Sequence, residues 1–425
     1  MRPPTSTNSL AGYTADSLDR NGGLRVIPVP RRAADVLPSR LKMTNAALRR
    51  LAVVAVALAA SLTAGTAPLR DASIFASEKE TFRVMILVEG LDHPWSLAFL
   101  PDGDLLITER PGRLRMVHAG KLDPQPVQGV PEVVAYGQGG LLDVALHPEY
   151  ATNGWLYLSY VAGGEGGIGT DVLRGRLRNH RLEDVQVIFR MQPKTGKDHH
   201  FGSRLLFDRE GYLYVTLGER GERDHAQRLN DDLGKIVRLH DDGRVPKDNP
   251  FSGRPGARSE IFTYGHRNVQ GIALHPGTGV IWAHEHGPQG GDEVNVIHGG
   301  TNYGWPVITY GREYDTGSPI GEGTHKAGLA QPIHFWVPVS IAPSGMAFYD
   351  GDRFPHWRGD LFIGALRGQM LVRLELQGEK VVREERLLRR VLGRIRDVRI
   401  GPDGLLYLLT DSSQGILARL EPISP

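Results

Sequence analysis

The sequence contains no cysteine. This absence excludes disulfides, thiolate catalysis, cysteine-ligated zinc and a lipid anchor on cysteine. Helical patterns of any length are also missing, which argues against α/β barrels and doubly wound sheets. With 425 residues, 40% of them hydrophobic and 23% charged, the chain has an ordinary globular composition. It is long enough to bury a substantial core without covalent cross-links.

Apolar runs long enough to span a bilayer are not evident. A run at residues 51–64 has 14 residues, fewer than the roughly 20 that a spanning helix needs. Two arginines precede this run and small residues follow it, which is the layout of a secretory signal. We therefore expect a disordered leader or a mis-called start at 1–42, a signal peptide at 43–67 and a mature domain at 68–425. The alternative is an ordered N-terminal arm, and export would place the mature protein in the periplasm or outside the cell.

Excess charge of one sign is absent too. The full chain has a formal net charge of +2, and its first 67 residues hold nine basic and three acidic residues. The mature part therefore keeps 41 basic and 45 acidic residues, a net charge of about −4. A mildly acidic protein gives no electrostatic reason to expect binding to nucleic acid or to an anionic membrane surface.

What the sequence does contain is a phrase that occurs six times. Each copy has an apolar alternating run, a turn of Pro, Asp and Gly, a second apolar run, and then a small or acidic residue. The copies lie roughly 45 to 75 residues apart and begin at Ser96, Asp143, Arg204, Gly271, Gly345 and Asp397. Each predicts a β-hairpin, and six of them predict an all-β, six-bladed propeller. A strand at Arg83–Glu89 could close the ring by pairing with the C-terminal Gly415–Glu421.

Propellers bind ligands where loops from several blades converge at the mouth of the central channel. One candidate segment is "DHHFGSRLLFD", in which His199 and His200 stand just before a strand. A histidine pair is more often structural than catalytic. If His200 faces the channel, its near-neutral pKa suits the abstraction of a proton from a hydroxyl group.

A second segment is "YGHRNVQGIALHP", which brings together Arg267, Asn268 and Gln270. Strand alternation would place Asn268 and Gln270 on one face and Arg267 on the other. These side chains could form a hydrogen-bonding platform in which the arginine offers a planar fork to a carboxylate. The alternative is a solvated loop.

A third segment, "RIRDVRI", puts Arg394 and Arg396 on the same face of a strand. Adjacent arginines repel each other unless an anionic group lies between them or the face is solvated. Together with Arg267 and with Arg367 in "GALRGQ", they make an arginine-rich site for a polycarboxylate plausible.

A fourth segment, "EHGPQGGDEVN", bends the backbone at Gly287 and Pro288. Such a bend can offer carbonyl oxygens to a hard cation such as calcium. A tight turn without a ligand is the alternative. The histidines at 284 and 286 share a strand face, but no further cluster has the spacing of transition-metal ligands, so we disfavour that reading.

These motifs resemble one known family. The phrases "LDHPWSLAFLPDG", "GQGGLLDVALHP", "HHFGSRL", "LGKIVRL", "YGHRNVQG", "EHGPQGGDEVN", "NYGWP" and "RIRD" occur in order from about Leu91 to Leu420. They are similar to those of the soluble aldose sugar dehydrogenases that depend on pyrroloquinoline quinone (PQQ), the glucose/sorbosone dehydrogenase family. The resemblance implies a six-bladed propeller that uses PQQ and calcium to oxidise the anomeric hydroxyl of aldoses to lactones.

The resemblance also implies roles for individual residues. His200 would be the general base, and Arg267 would contact the quinone and stabilise the charge that develops on its oxygen. The cofactor and substrate wall would consist of Gln138, Arg267, Asn268, Gln270, Ser340, Arg367, Arg394 and Arg396. Main-chain oxygens of Gly287 and Pro288 would bind the calcium that bridges protein and quinone, and Glu293 with Tyr303 would belong to a second calcium site.

Three positions depart from the family pattern. Arg367 stands where well-known members have a lysine, and Ser340 stands where they have a threonine. His199 occupies the place of an acid that precedes the catalytic histidine in some members, and Asp198 lies one step further back. The group that orients His200 is therefore undecided from the sequence.

Two other functions remain open at this point. A calcium-dependent propeller sugar lactonase would need carboxylates that converge on a metal in the channel, and a secreted binding propeller would need no catalysis at all. For the dehydrogenase, we expect an aldose substrate, an external electron acceptor and a monomer or homodimer. We expect neither nucleic-acid binding nor stable membrane insertion.

Overall fold

The computed structural model describes residues 73–423 of the protein. These residues form 25 strands in six antiparallel sheets, the blades of a six-bladed β-propeller, as the repeats predicted. In chain order, the strands are β1 (Ser73–Ala76), β2 (Thr81–Leu91), β3 (Pro94–Phe99), β4 (Leu105–Glu109), β5 (Arg113–His118), β6 (Lys121–Leu122), β7 (Leu141–Leu146), β8 (Trp155–Gly164), β9 (Gly167–Arg178), β10 (Arg181–Arg190), β11 (Leu205–Phe207), β12 (Leu213–Leu217), β13 (Lys235–Leu239), β14 (Ile261–Tyr264), β15 (Val269–Leu274), β16 (Ile281–Glu285), β17 (Asp292–Ile297), β18 (His334–Trp336), β19 (Pro343–Phe348), β20 (Leu361–Ala365), β21 (Met370–Gln377), β22 (Lys380–Leu387), β23 (Ile395–Ile400), β24 (Leu406–Thr410) and β25 (Gly415–Pro422). Helical structure between these strands comprises α1 (Tyr150–Asn153) and the 3-10 turns Arg223–Gln227 and Pro355–Trp357.

Blades 1 to 5 each use four consecutive strands, starting with β3, β7, β11, β15 and β19, and blade 6 starts with β23. The first strands of neighbouring blades contact one another around the ring, so they line the central channel. The second strands are covered on both faces by adjacent blades. For this reason β12 is buried at every position and reads as the continuous apolar run "LYVTL".

The ring closes by pairing strands from the two ends of the described chain. Strand β2 pairs with β25 from Phe82 opposite Pro422 to Leu91 opposite Gly415, and β1 adds to the outer edge of β2. Blade 6 therefore contains five strands in the order β1, β2, β25, β24 and β23. The expected closure by Arg83–Glu89 is confirmed, and the hydrogen bonds of an otherwise open sheet edge are satisfied.

Apolar side chains pack between the blades, and the aromatic ones are concentrated between blades 5 and 6. Trp357 is fully buried, and its ring stacks on Phe354 with 4.4 Å between centroids. Phe82 of β2 meets Trp357 edge to face at 5.5 Å. The closing strand is thus fixed by core packing as well as by hydrogen bonds.

A buried ionic network joins three blades near the channel axis. Arg204 Nη1 lies 2.9 Å from Asp397 Oδ1, and Arg399 Nη2 lies 2.9 Å from Asp143 Oδ1. Arg399 Nε also donates to Asp397 Oδ2 at 2.9 Å. Since each charge faces at least one opposite charge, the removal of a single member would leave its partner buried and uncompensated.

The predicted leader and signal peptide lie outside the described residues. Within residues 73–423, no helix combines the length and the apolar character that crossing a bilayer would require.

Candidate active site

Residues from all six blades meet around a cavity of about 490 Å³ in the channel region. The cavity is lined by His93, Trp95, Arg110, Gly137, Gln138, Leu142, Phe201, Gly202, Gln270, His286, Ala342, Leu366, Arg394, Arg396 and Asp411. Four of the predicted site residues, Gln138, Gln270, Arg394 and Arg396, are in this lining. The cavity thus offers amide and guanidinium donors on a mainly uncharged wall.

His200 stands at the edge of the cavity, in the loop that leads to β11. Its backbone N–H donates to the side-chain oxygen of Gln138 at 3.0 Å, and the following residue, Phe201, lines the cavity. Its Nδ1 lies 2.7 Å from Glu219 Oε2. Burial, together with the positive charge of Arg267, lowers the pKa of His200 to about 4. The ring is therefore neutral at pH 7.

The protonated nitrogen of this ring follows from its partner. Although burial opposes it, hydrogen bonding with His200 keeps the pKa of Glu219 below its ordinary value, so Glu219 is ionised and can only accept. Nδ1 of His200 must therefore carry the proton and donate it. Nε2 is left as an acceptor that forms no hydrogen bond with residues 73–423, which is the state that a general base needs.

Glu219 is the residue that orients the ring of His200. It ends the hairpin of the third repeat and is 2% exposed. Asp198, the acid closer in sequence, contacts Nδ1 of His199 at 3.0 Å instead. The sequence signal for Glu219 is the small or acidic residue that closes each repeat, but the repeat pattern alone assigns it no role.

Acids also lie at or just after the end of the second strand in other blades, and each acid orients nearby polar groups. Glu285 ends β16, where its carboxylate accepts hydrogen bonds from the backbone N–H of Arg267 and faces Nδ1 of His266 at 2.9 Å. Asp411 follows β24 and contacts arginines of β23 and the preceding loop. Acids near the ends of the second strands thus hold several polar groups of the site in place in blades 3, 4 and 6.

The three polar residues of "RNVQ" form a connected wall. Arg267 donates to the carbonyl oxygen of His286 at 3.1 Å, and its guanidinium lies 5.4 Å from the ring centroid of Trp305. Asn268 Oδ1 accepts from the amides of Gly202 and Gln270 at 3.1 and 3.3 Å. Asn268 and Gln270 thus share a face, as the alternation predicted.

Arg394 and Arg396 flank a carboxylate of the protein itself. Asp411 Oδ2 lies 2.8 Å from Arg394 Nη2 and 3.3 Å from Arg396 Nη2. Against the effect of burial, the two guanidinium groups hold the pKa of Asp411 well below its usual range. Arg396 Nη1 also donates to Gln270 at 3.3 Å, while its buried Nε has no hydrogen-bond partner among the residues that the structure describes. The pair carries one more positive charge than Asp411 neutralises, and one of its donors is free.

The predicted calcium bend is held in place by a carboxylate that is not among the predicted site residues. Asp292 accepts hydrogen bonds from the backbone N–H of Gly287 at 2.9 Å and from the hydroxyl of Ser340 at 2.7 Å. Ser340 is therefore used to anchor the bend. Among residues 73–423, no donor reaches the carbonyl oxygen of Gly287 or of Pro288, so neither oxygen is occupied by a hydrogen bond within the described part of the chain.

Glu293 lies opposite Glu285 in the pairing of β17 with β16. Burial and the charge of Glu285 raise the pKa of Glu293 well above its ordinary value. Tyr303 lines the same small cleft, but its hydroxyl donates to the carbonyl of Val296 at 2.7 Å. Within the described residues, no group of three or more histidines or carboxylates has the arrangement of a metal site. A cation here would therefore depend on main-chain or ligand oxygens.

Several predicted site residues do not line this cavity. Arg267, Gly287, Glu293 and Tyr303 line a separate small cleft. Arg367 is exposed and lines a neighbouring groove together with Ser340, whereas the cavity wall at this point is formed by Leu366. His286, considered in the sequence only as a metal ligand, lines the cavity, and its Nε2 lies 2.7 Å from the carbonyl oxygen of Pro343. Burial lowers the pKa of His286 to about 3, so this ring is neutral as well.

Comparisons with known proteins identify the family of this chain. The family model described as Glucose / Sorbosone dehydrogenase matches residues 91–419. Aldose sugar dehydrogenase YliI of Escherichia coli (strain K12) is 48% identical over 347 residues, covering 80% of this chain and 93% of the relative. The PQQ-bound structure of Aldose Sugar Dehydrogenase from Streptomyces coelicolor is 30% identical, has a TM-score of 0.66, and is matched over 84% of this chain and 99% of its own. A crystal structure of glucose dehydrogenase is 55% identical with a TM-score of 0.77, and the match covers 80% of this chain and 99% of that one. The propeller, its polar cavity and these matches show that the chain belongs to the glucose/sorbosone dehydrogenase family.

Proposed function

We propose that the protein oxidises the anomeric hydroxyl group of aldose sugars to lactones, with PQQ as cofactor and calcium as the ion that binds it. The observation that carries this proposal is the neutral imidazole of His200, whose Nδ1 is held by Glu219 at 2.7 Å and whose Nε2 is free at the edge of the cavity. The family and the PQQ-bound relative support the choice of cofactor.

The residues present suit a cofactor that bears carboxylates. Arg394 and Arg396 provide guanidinium donors, one of which is a buried nitrogen without a partner, and guanidinium groups bind carboxylates in a planar fork. Gln270 and Asn268 add amide groups beside them. We assign these four residues to the cofactor wall, together with Gln138 and Arg267, and assign Ser340 to the support of the bend. Arg367 would join the wall only by turning from its groove.

The calcium ligands would be the free carbonyl oxygens of Gly287 and Pro288, with the remaining ligands coming from the cofactor. When bound, PQQ would supply the group that takes up the hydride, and calcium would supply Lewis-acid polarisation of the quinone. The second calcium ion would lie near Glu293 and Tyr303, where it would neutralise the carboxylates of Glu285 and Glu293.

In this mechanism, Nε2 of His200 takes the proton of the anomeric hydroxyl group. The ionised Glu219 stabilises the imidazolium that results, because its charge strengthens the hydrogen bond to Nδ1. Arg267 has the opposite effect on the imidazolium, since it lowers the pKa of His200. The base is therefore neutral before each turnover and gives its proton up readily afterwards.

The geometry speaks against the lactonase. That enzyme needs carboxylates that converge on a metal in the channel, but Asp411, the carboxylate in the cavity lining, is bound by two arginines. A binding propeller without catalysis would not require a histidine base such as His200, whose Nδ1 is oriented by the buried acid Glu219.

For the chain as a whole, we propose the organisation expected from its sequence: a leader or mis-called start at 1–42, a signal peptide at 43–67 and the catalytic propeller at 68–425. The mature enzyme would be exported, would act as a monomer or homodimer and would pass electrons to an external acceptor.

The test is dye-linked oxidation of glucose and other aldoses by the purified protein, with and without added PQQ and calcium. We expect activity only when both are present, and its loss in His200→Ala. A His199→Ala variant is the matched control. The ring of His199 pairs with Asp198, so its removal should cost little activity. Binding of PQQ without oxidation of any aldose would refute the substrate class, and failure to bind PQQ would refute the dehydrogenase assignment.

A further inference from the structure

A groove of about 770 Å³ lies beside the cavity and has an unbalanced charge. Its lining contains four arginines and no aspartate or glutamate. Arg386 is paired with Glu384, whereas Arg367, Arg389 and Arg390 form no ion pair with any residue between 73 and 423. Three exposed guanidinium groups without a counter-charge repel one another and attract an anion.

The floor of the same groove is apolar and partly open to solvent. Val337 is 48% exposed and Val339 is 55% exposed, and the side chains of Trp336 and Met370 contribute to the lining. An exposed apolar patch that is rimmed by charge marks an interaction surface, and arginine is the charged residue that protein interfaces favour. A free inorganic anion would make no use of the valines, but a protein surface would.

The groove and the cavity share one wall. Ile341 and Arg367 line the groove, while their neighbours in the chain, Ala342 and Leu366, line the cavity. The wall is held together by hydrogen bonds from Leu366 N to Ala342 O at 2.9 Å and from Arg367 N to Ile341 O at 3.0 Å. A partner seated in the groove would be separated from the cavity by this pair of segments alone.

The geometry points to this groove, lined by Val337, Val339, Arg367, Arg389 and Arg390, as the docking site of a small acidic electron-transfer protein. The inference rests on the proposed function, in which oxidation of an aldose to its lactone releases two electrons and two protons. Two molecules of an oxidised one-electron carrier take up the electrons in succession, and the protons pass to solvent. Positive charge around an apolar floor selects an acidic carrier and speeds its encounter.

The test compares two forms of one carrier. Cytochrome c with succinylated lysines is acidic, and unmodified cytochrome c is basic, while the haem is the same. We would measure kcat/KM for each carrier with the wild-type enzyme and with the double variant Arg389→Glu, Arg390→Glu. The matched control is Lys121→Glu, Arg181→Glu, which reverses two exposed basic residues on the outer strands of blades 1 and 2. Calorimetry of the same carriers with the cofactor-free protein gives affinity without any turnover.

For the groove variant, we expect kcat/KM and affinity for the succinylated carrier to fall at least tenfold at low ionic strength, because association loses its electrostatic steering. The control variant should change both by less than twofold, and the rate with a small uncharged dye should stay the same in all three proteins. Affinity of the succinylated carrier that is equal in all three proteins would overturn the inference. Binding of anionic phospholipid vesicles that depends on Arg389 and Arg390, without binding of the carrier, would overturn it in favour of a membrane surface. If neither the wild type nor either variant oxidises aldoses with the dye, the proposed function fails. The calorimetry alone then decides whether the groove binds an acidic protein.

Discussion

Replacement of Glu219 by glutamine tests how His200 is made into a base. The side chain keeps its size, and its amide oxygen can still accept the hydrogen bond from Nδ1, which is 2.7 Å long in the wild type. A charge-assisted hydrogen bond exceeds a neutral one by about 1 to 2 kcal/mol, and the difference grows as the imidazolium forms. Since 1.36 kcal/mol corresponds to a factor of ten, kcat should fall roughly 5- to 30-fold.

The pH profile provides a second readout of the same variant. The pKa of His200 is lowered to about 4, with Glu219 among the groups that raise it. The base must be neutral, so wild-type kcat/KM should decline as the pH falls through about 4. Without the charge of Glu219 the pKa of His200 falls further, and the decline should move to lower pH.

We would record dye-linked kcat and kcat/KM from pH 3.5 to 8 with the PQQ- and calcium-loaded enzyme, and follow tryptophan fluorescence to exclude unfolding. Asp198→Asn is the matched control, because Asp198 is the acid nearest to His200 in the sequence but contacts His199. It should leave both readouts within twofold of wild type. A Glu219→Gln enzyme with undiminished kcat and an unshifted acid limb would refute the assignment of Glu219, and an effect in Asp198→Asn alone would transfer its role to Asp198.

Three further predictions follow from the same site. In Arg396→Ala, the affinity for PQQ measured by fluorescence titration should fall at least tenfold, since a charge-assisted bond contributes about 1.5 to 3 kcal/mol; unchanged affinity would exclude Arg396 from the cofactor wall. In Asp292→Ala, the bend loses several hydrogen bonds, and calorimetry should show a free energy of unfolding lower by about 2 to 4 kcal/mol with weaker calcium binding; loss of neither would disprove the anchoring. The raised pKa of Glu293 means that the folded protein holds this proton more tightly, so in calcium-free buffer its contribution to stability is lost as the pH rises. Glu293→Gln should remove this loss in thermal melts from pH 5 to 8 and should also remove the added stability that calcium gives; a melting profile like that of wild type would contradict both.

The sequence predicted the blades because each hairpin is encoded locally, in a period-2 pattern with a turn between its strands. It also predicted that amides and arginines from three blades meet, since each follows or begins a repeat. Hydrogen-bond partners whose positions depend on the exact path of a loop could not be predicted from the sequence. Glu219 is 19 residues from His200, and Ser340 is 48 residues from Asp292, so neither contact has a sequence signature of its own. Arg367 shows the same limit, because one step along the chain separates the cavity wall from the groove.

The closure of blade 6 determines when, during synthesis and folding, the propeller can be completed. Phe82 finds its strand partner at Pro422, so the ring cannot be completed until β25 has been synthesised. Until then, β2 remains an unpaired edge, and pairings between such distant segments form slowly. The export proposed above would benefit from this delay, because a chain passes an export channel in extended form and the closure of the ring waits for β25.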